Sequence, residues 1–211
     1  MQAFFLIILN YLAHPENLKM GITMVGAGGI GSWTALALTK MGCSNLSVYD
    51  FDNVEEHNLG AQFYDLSDLG YKKVEALARR LETLTNQKIA AIPYRVNGDV
   101  ITDIVISAVD NMETRKILFD SLKSKWLIDG RMGGNEIQIF TIPNTEEGRK
   151  LYADTLFTDG EADHTPCSSR SVMYNTLVIG GLIADIVATI SRGETPPFDI
   201  LVDLRNYKMY S

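Results

Sequence analysis

The chain is 211 residues long, 46% hydrophobic and 21% charged, a composition that fills one globular core. Its formal net charge of −7 speaks against non-specific nucleic-acid binding, which rests on cationic groups displacing counterions. Two cysteines, Cys43 and Cys167, give neither a disulfide framework nor a four-cysteine zinc site, so a reducing, cytoplasmic setting without zinc is expected.

From the N-terminus, the apolar run at residues 3–9 is too short for a bilayer span, which takes ~20 residues. No Lys or Arg precedes it as in a signal peptide. It reads as a segment packed on the domain or on a second subunit. "GITMVGA" (21–27) is a short apolar strand ending in glycine. "GSWTALALTKMG" (31–42) is a helix with Trp33, Leu36, Leu38 and Met41 on its apolar face and Gly42 as its stop. "NLSVYD" (45–50) forms a second strand, ending on Asp50. "DLGYKKVEALARRLETL" (68–84) holds a second helix, striped by Val74, Leu77, Leu81 and Leu84. "KIAAIPYRV" (88–96) gives a third strand, and "TDIVISAVD" (102–110) a fully apolar fourth, as buried parallel strands are. "ETRKILFDSLKSK" (113–125) is a helix, and "WLIDGRMGG" (126–134) opens the next strand. The alternating "EIQIFTIP" (136–143) is expected to pair at a sheet edge. "SVMYNTLVIGGLIADIVATI" (171–190) is a long apolar helix, and "FDILVDLRNYKMY" (198–210) closes the chain as strand.

This alternation predicts a single Rossmann-like α/β domain over residues 1–211. Its doubly wound, mostly parallel sheet has antiparallel C-terminal strands. Ligands of such sheets sit beyond the carboxyl ends of the strands, where the first glycine turn, Asp50 and Asp110 all fall.

Gly26, Gly28 and Gly31 satisfy G-x-G-x-x-G between a strand and a helix, so backbone N–H groups can approach a phosphate at the helix N-terminus. The fingerprint alone does not separate NAD from ATP, although Gly29 and Ser32 depart from the plain dehydrogenase pattern. Asp50 stands where an acid holds ribose hydroxyls. Asp52, two residues on, is either a second acid on that side or a solvated loop acid. Asn58 and Gln62 offer neutral hydrogen bonds from the following loop. Lys73 lies in the first turn of a helix, where the dipole disfavours a cation. A facing polyphosphate accounts for it; the alternative is a solvated Lys72–Lys73 pair. Asp110 suits Mg²⁺, which takes one or two carboxylates plus phosphates, or else Asp110 or Asn111 caps the next helix. Arg115 is read as a helix residue at the surface, and Cys43 as core. The long helix, interrupted by Asn175, Asp185 and glycines, is read as buried and not as a membrane span.

The order "GAGGIGS", "DFDNVEEHNL..Q", "DLGYKK" and "SAVDNMETR" resembles the ThiF/MoeB/HesA family, bacterial relatives of ubiquitin-activating enzymes, from about Met20 to Asn135. The resemblance implies ATP and Mg²⁺ as cofactors. It implies adenylation of the C-terminal glycine carboxylate of a ubiquitin-like or sulfur-carrier protein with a Gly-Gly terminus. It places ATP on Gly26, Gly28, Gly29 and Gly31, with Asp50 and Asp52 at the ribose side. Asn58, Gln62 and Lys73 would handle the phosphates, and Asp110 would serve Mg²⁺ and the reacting phosphate. Lys73 and Asp110 are thus the catalytic candidates.

The chemistry suits these residue types. A terminal carboxylate, with a pKa near ~3.5, is already ionised and needs charge neutralisation more than a base. The sequence also departs from the family. The arginine of "NLxRQ" is replaced by Ala61, and no arginine precedes Lys19 to be lent across a dimer interface. Lys72, Arg79, Arg115 and Arg131 are the candidate substitutes. Cys167, in "HTPCSSRS", falls near the family's zinc or catalytic cysteine. With Arg170 at the partner position it is a candidate thiol, not a zinc ligand. The long helix is expected to form a homodimer interface. Two other readings stand beside adenylation: a non-catalytic or weakly active ATP-binding scaffold, and an NAD-dependent oxidoreductase.

Overall fold

The computed structural model describes residues 18–98, 100–157 and 173–211. The readings made on residues 3–9, on Cys167 and on Arg170 lie outside the described residues.

The expected alternation folds as β1 (Ile22–Val25), α1 (Gly29–Lys40), β2 (Leu46–Tyr49), α2 (Lys73–Thr85), β3 (Ala90–Ile92), β4 (Ile104–Ser107), α3 (Met112–Asp120) and β5 (Trp126–Gly133). Then come β6 (Glu136–Pro143), α4 (Glu146–Ala153), α5 (Met173–Ser191), β7 (Asp199–Asp203) and β8 (Lys208–Tyr210). The strands form one sheet in the order β3-β2-β1-β4-β5-β6-β7-β8. Pairing is parallel from β3 to β5 and antiparallel from β5 to β8. The order reverses between β1 and β4, which opens a crevice at their carboxyl ends.

Strand alternation sorts the core onto the two faces. Ile22, Met24, Ile104, Ile106, Ile128, Ile137 and Ile139 pack under α1, α2 and α5. Val25, Val105, Leu127, Phe140 and Ile142 pack with Leu118 and Phe119 of α3 and Tyr152 of α4. The segment "EIQIFTIP" is not an edge strand, for β6 pairs with both β5 and β7. Its alternation has another cause: Ile137 and Ile139 face α5, while Glu136 and Gln138 face an open cavity.

α1 buries Thr34 and Thr39 as well as Leu38, and each hydroxyl donates to a carbonyl of its own helix, Ile30 and Ala35 respectively. In α2, Val74, Leu77 and Leu81 are buried, but Leu84 is half exposed. Cys43 is core, as expected, and burial pushes its thiol pKa up. The unexpected α4 starts at Thr145, whose Oγ1 accepts from the Gly148 amide at 3.1 Å. α5 is long and apolar enough to cross a membrane, yet its inner side packs on α1, β5 and β6. Its other side exposes Met173, Tyr174 and Leu177.

Candidate functional site

The glycine turn is built by collision avoidance. Gly26 has φ +100°, and a Cβ there would strike the carbonyl of Ala108, the residue that follows the neighbouring β4. A Cβ on Gly31 would strike the Gly26 carbonyl. The turn therefore closes only around glycine at both places. We expect Gly31→Ala to cost about 1–3 kcal/mol through overpacking, read as a lower denaturant midpoint.

Beyond this turn lies a cavity of about 700 Å³ at the carboxyl ends of β1, β2 and β4. It runs across the sheet in both directions. Toward β3 it is lined by Tyr49, Phe51, Tyr94, Arg95 and Val96. Toward β7 it is lined by Met132, Gly133, Glu136, Gln138, Phe157 and Leu201. Gly26, Gly28, Gly29, Asp50, Asp52, Gln62, Lys73 and Asp110 all meet it, whereas Gly31 supports the turn from behind.

Asp50 is half-buried at the end of β2. Its Oδ2 accepts from the Ala27 amide at 2.8 Å and its Oδ1 from the Asp52 amide at 2.8 Å. Burial raises its pKa above the ordinary carboxylate value, against the lowering effect of those amides and of the Lys73 charge. Lys73 opens α2 and is 7% exposed. Its Nζ donates to Asp52 Oδ2 at 3.0 Å, so Asp52 is the partner of this lysine and not a lone loop acid. Tyr64 ties the two halves together, its hydroxyl donating to the Ala27 carbonyl at 2.7 Å and the Lys73 carbonyl at 3.3 Å.

Gln62 carries a buried Oε1 with no hydrogen-bond partner among the described residues. The amide oxygen and nitrogen exchange places by rotation, so this position offers a ligand either an acceptor or a donor. Asn58 stands apart from the cavity lining. It is 3% exposed, and its Oδ1 accepts from the Glu55 amide within a short 3-10 turn. The cap of α3 is Asn111, whose Oδ1 accepts from the Thr114 amide at 2.8 Å. Asp110 is thereby left exposed at the cavity. Its side chain accepts from the Asn111 amide group at 3.2 Å and forms no ion pair among the described residues. No group of three or more His, Cys, Asp or Glu side chains gathers as a metal site among the described residues. A single carboxylate beside phosphates still matches the donor set that Mg²⁺ takes.

Arg115 is buried, contrary to the surface reading, because a carboxylate waits for it inside. Its Nε donates to Asp129 Oδ1 at 2.9 Å. Arg131 donates from Nε to Asp129 Oδ2 at 2.7 Å and lies over the Phe140 ring. Tyr152 donates its hydroxyl to the same carboxylate at 2.9 Å, and burial together with the Asp129 charge holds that phenol protonated, above its ordinary pKa. Arg79 is drawn to Asp68, and the Lys72 ammonium to the Phe51 carbonyl. The four candidate substitutes for the missing arginine are thus all engaged in internal contacts. The sequence reading missed Arg95, which follows β3, lines the cavity and sits over Phe51 at 4.1 Å. The rule that points to Asp50 and Asp110, a strand's carboxyl end, points to it equally.

A glycine turn, a carboxylate at the end of β2 and a buried lysine meet at the switch point of a doubly wound α/β sheet, the place where such folds take their ligands. The family model described as "ThiF family" matches residues 16–210, and the chain belongs to that family. Ubiquitin-like modifier-activating enzyme 5 of Drosophila persimilis is 32% identical over 140 residues, spanning 56% of this chain and 36% of that protein. The same enzyme from Bombyx mori is 30% identical over 131 residues, spanning 52% and 33%. The chain thus matches about a third of the length of these curated relatives. Among solved structures, PaaA superposes with a TM-score of 0.74 at 20% identity, covering 94% of this chain and 65% of that one. E. coli MccB with ATP superposes with a TM-score of 0.73 at 17% identity, again covering 94% and 65%. At these identities the likeness is one of fold.

Proposed function

We propose that this chain adenylates the C-terminal carboxylate of a ubiquitin-like or sulfur-carrier protein, using ATP and Mg²⁺. The observation that carries the reading is the meeting of the glycine turn, Asp50, Lys73, the partnerless Gln62 oxygen and Asp110 around one cavity. Membership of the ThiF family, and the structure of MccB with ATP, support it.

The ribose is assigned to Asp50 and the phosphates to the turn and Lys73. The side of the cavity toward β7 receives the peptide terminus. A carboxylate oxygen attacks the α-phosphorus, the bond from that phosphorus to the bridging oxygen breaks, and pyrophosphate leaves. An anion approaches an anion, so the residues must supply positive charge and fixed geometry. Lys73 supplies the charge, and its anchoring in α2 supplies the geometry. Mg²⁺ on Asp110 would neutralise the leaving phosphates. The protein is proposed to be cytoplasmic, and to pair as a homodimer through the exposed side of α5.

The test is exchange of labelled pyrophosphate into ATP in the presence of a small ubiquitin-like protein ending in Gly-Gly. Exchange that requires the intact terminus supports the reading. NADH binding together with indifference to ATP refutes it. We expect Asp110→Ala to lose exchange while keeping the wild-type melting temperature, since Asp110 is exposed and unpaired with any cation among the described residues. Unchanged exchange in that variant would remove Asp110 from the Mg²⁺ site.

The pinned cations favour one second reading, a weakly active ATP-binding scaffold. Lys73 faces Asp52, and Arg115 and Arg131 share Asp129. ATP binding with no exchange for any carrier would select it.

A further inference from the structure

The side of the cavity toward β3 holds a group that adenylation, as outlined, leaves unused. Arg95 sits with its guanidinium carbon 4.1 Å from the centre of the Phe51 ring. Both side chains are exposed at the cavity wall, Phe51 at 42%. Arg115 and Arg131 are bound to Asp129, whereas Arg95 pairs with no carboxylate among the described residues. Tyr49, Val96, Val109 and Ile117 make the surrounding lining mostly apolar. Phe51 directly follows Asp50, whose carboxylate is braced on the glycine turn through Ala27. A nucleotide with its ribose on Asp50 and its phosphates over Gly28 and Gly29 therefore has its base on the Phe51 side. A guanidinium resting on an aromatic ring keeps a second planar face, and that face stacks on nucleobases.

We propose that Arg95, held over Phe51, is the stacking platform for the nucleotide base, and that it selects purine nucleotides by the area of the stack. The inference rests on the proposal that this cavity binds ATP. Stacking reads the face of a base and not its hydrogen-bonding edge. ATP and GTP should therefore bind alike, and both more tightly than CTP. This is a binding and specificity role. No chemical step passes through Arg95.

The test is calorimetric titration of wild type, Arg95→Ala and Arg95→Lys with ATP, GTP, CTP and inorganic tripolyphosphate. Arg95→Ala should weaken ATP by about tenfold, the scale of one stacked base, and leave tripolyphosphate unchanged. Arg95→Lys should not restore ATP affinity, because an ammonium keeps the charge and lacks the plane. Unchanged ATP affinity in Arg95→Ala overturns the proposal. So does equal loss of ATP and tripolyphosphate, or rescue by lysine, since either would make Arg95 a phosphate ligand. CTP binding as tight as ATP overturns the purine selection. Wild-type protein that ignores ATP but remains folded would overturn the adenylation reading itself, and this inference with it.

Discussion

Lys73→Ala is expected to lower carrier-dependent pyrophosphate exchange by roughly 10²–10³-fold, the scale set by removing one preorganised charge partner of a transition state. The same variant should melt within a few degrees of wild type. The geometry explains why the two effects separate. Lys73 Nζ is nearly enclosed, but its partner Asp52 keeps half its side chain in water. Removing the lysine leaves a carboxylate that solvent accepts without difficulty. Removing the acid is different: Asp52→Ala strands a buried ammonium with no counter-charge from that acid, and should destabilise more than Lys73→Ala. Melting curves of the pair check this order, and exchange assays check the catalytic loss. A Lys73→Ala enzyme with wild-type exchange would leave the phosphate site without its central cation.

The second large effect is structural. Asp129→Ala should destabilise the fold by about 3–5 kcal/mol, the cost of breaking a buried ion pair from one side. Asp129 is fully enclosed, and two guanidinium groups and a phenol converge on its two oxygens. Without it, Arg115 and Arg131, both in the cavity lining, lose their shared counter-charge. Against a typical stability of roughly 5–15 kcal/mol, that loss approaches unfolding. Urea denaturation measures it. The three charged residues should also be strongly non-additive. Replacing Arg115, Asp129 and Arg131 together by apolar residues of similar volume should cost less than Asp129→Ala alone.

What was legible in the sequence follows the range of the interactions involved. The order of β1 to β5 could be read because each element carries its own local period. Gly26 and Gly31 could be read because the collisions they avoid are set by a short turn. Asp50, Gln62, Lys73 and Asp110 come together because strand ends and helix starts sit on one rim of a parallel sheet. Arg115 was misplaced because its partner, Asp129, comes from a separate strand and no local pattern announces it. β6 was misplaced because its alternation records a cavity on one face, and a solvated edge leaves the same mark. Asn58 looked like a ligand residue by type, but its amide oxygen accepts from the Glu55 N–H of its own loop, and the residue stands outside the cavity lining. Arg95 was passed over because "IPYRV" carries no motif. Its importance comes only from the strand order that sets it beside Phe51.

The loop that carries Gln62 is tied down three times. The Ala61 carbonyl accepts from Trp33 Nε1 at 2.9 Å and from Thr176 Oγ1 at 3.0 Å, and the Phe63 amide donates to Ser32 Oγ at 3.0 Å. All three tethers lead to α1 or α5, the framework of the fold. In kinetic terms this segment is a fixed jamb and not a door. A ligand of the cavity would not wait on this segment to open, so cutting any one tether should leave association rates alone and shorten the residence of whatever has bound.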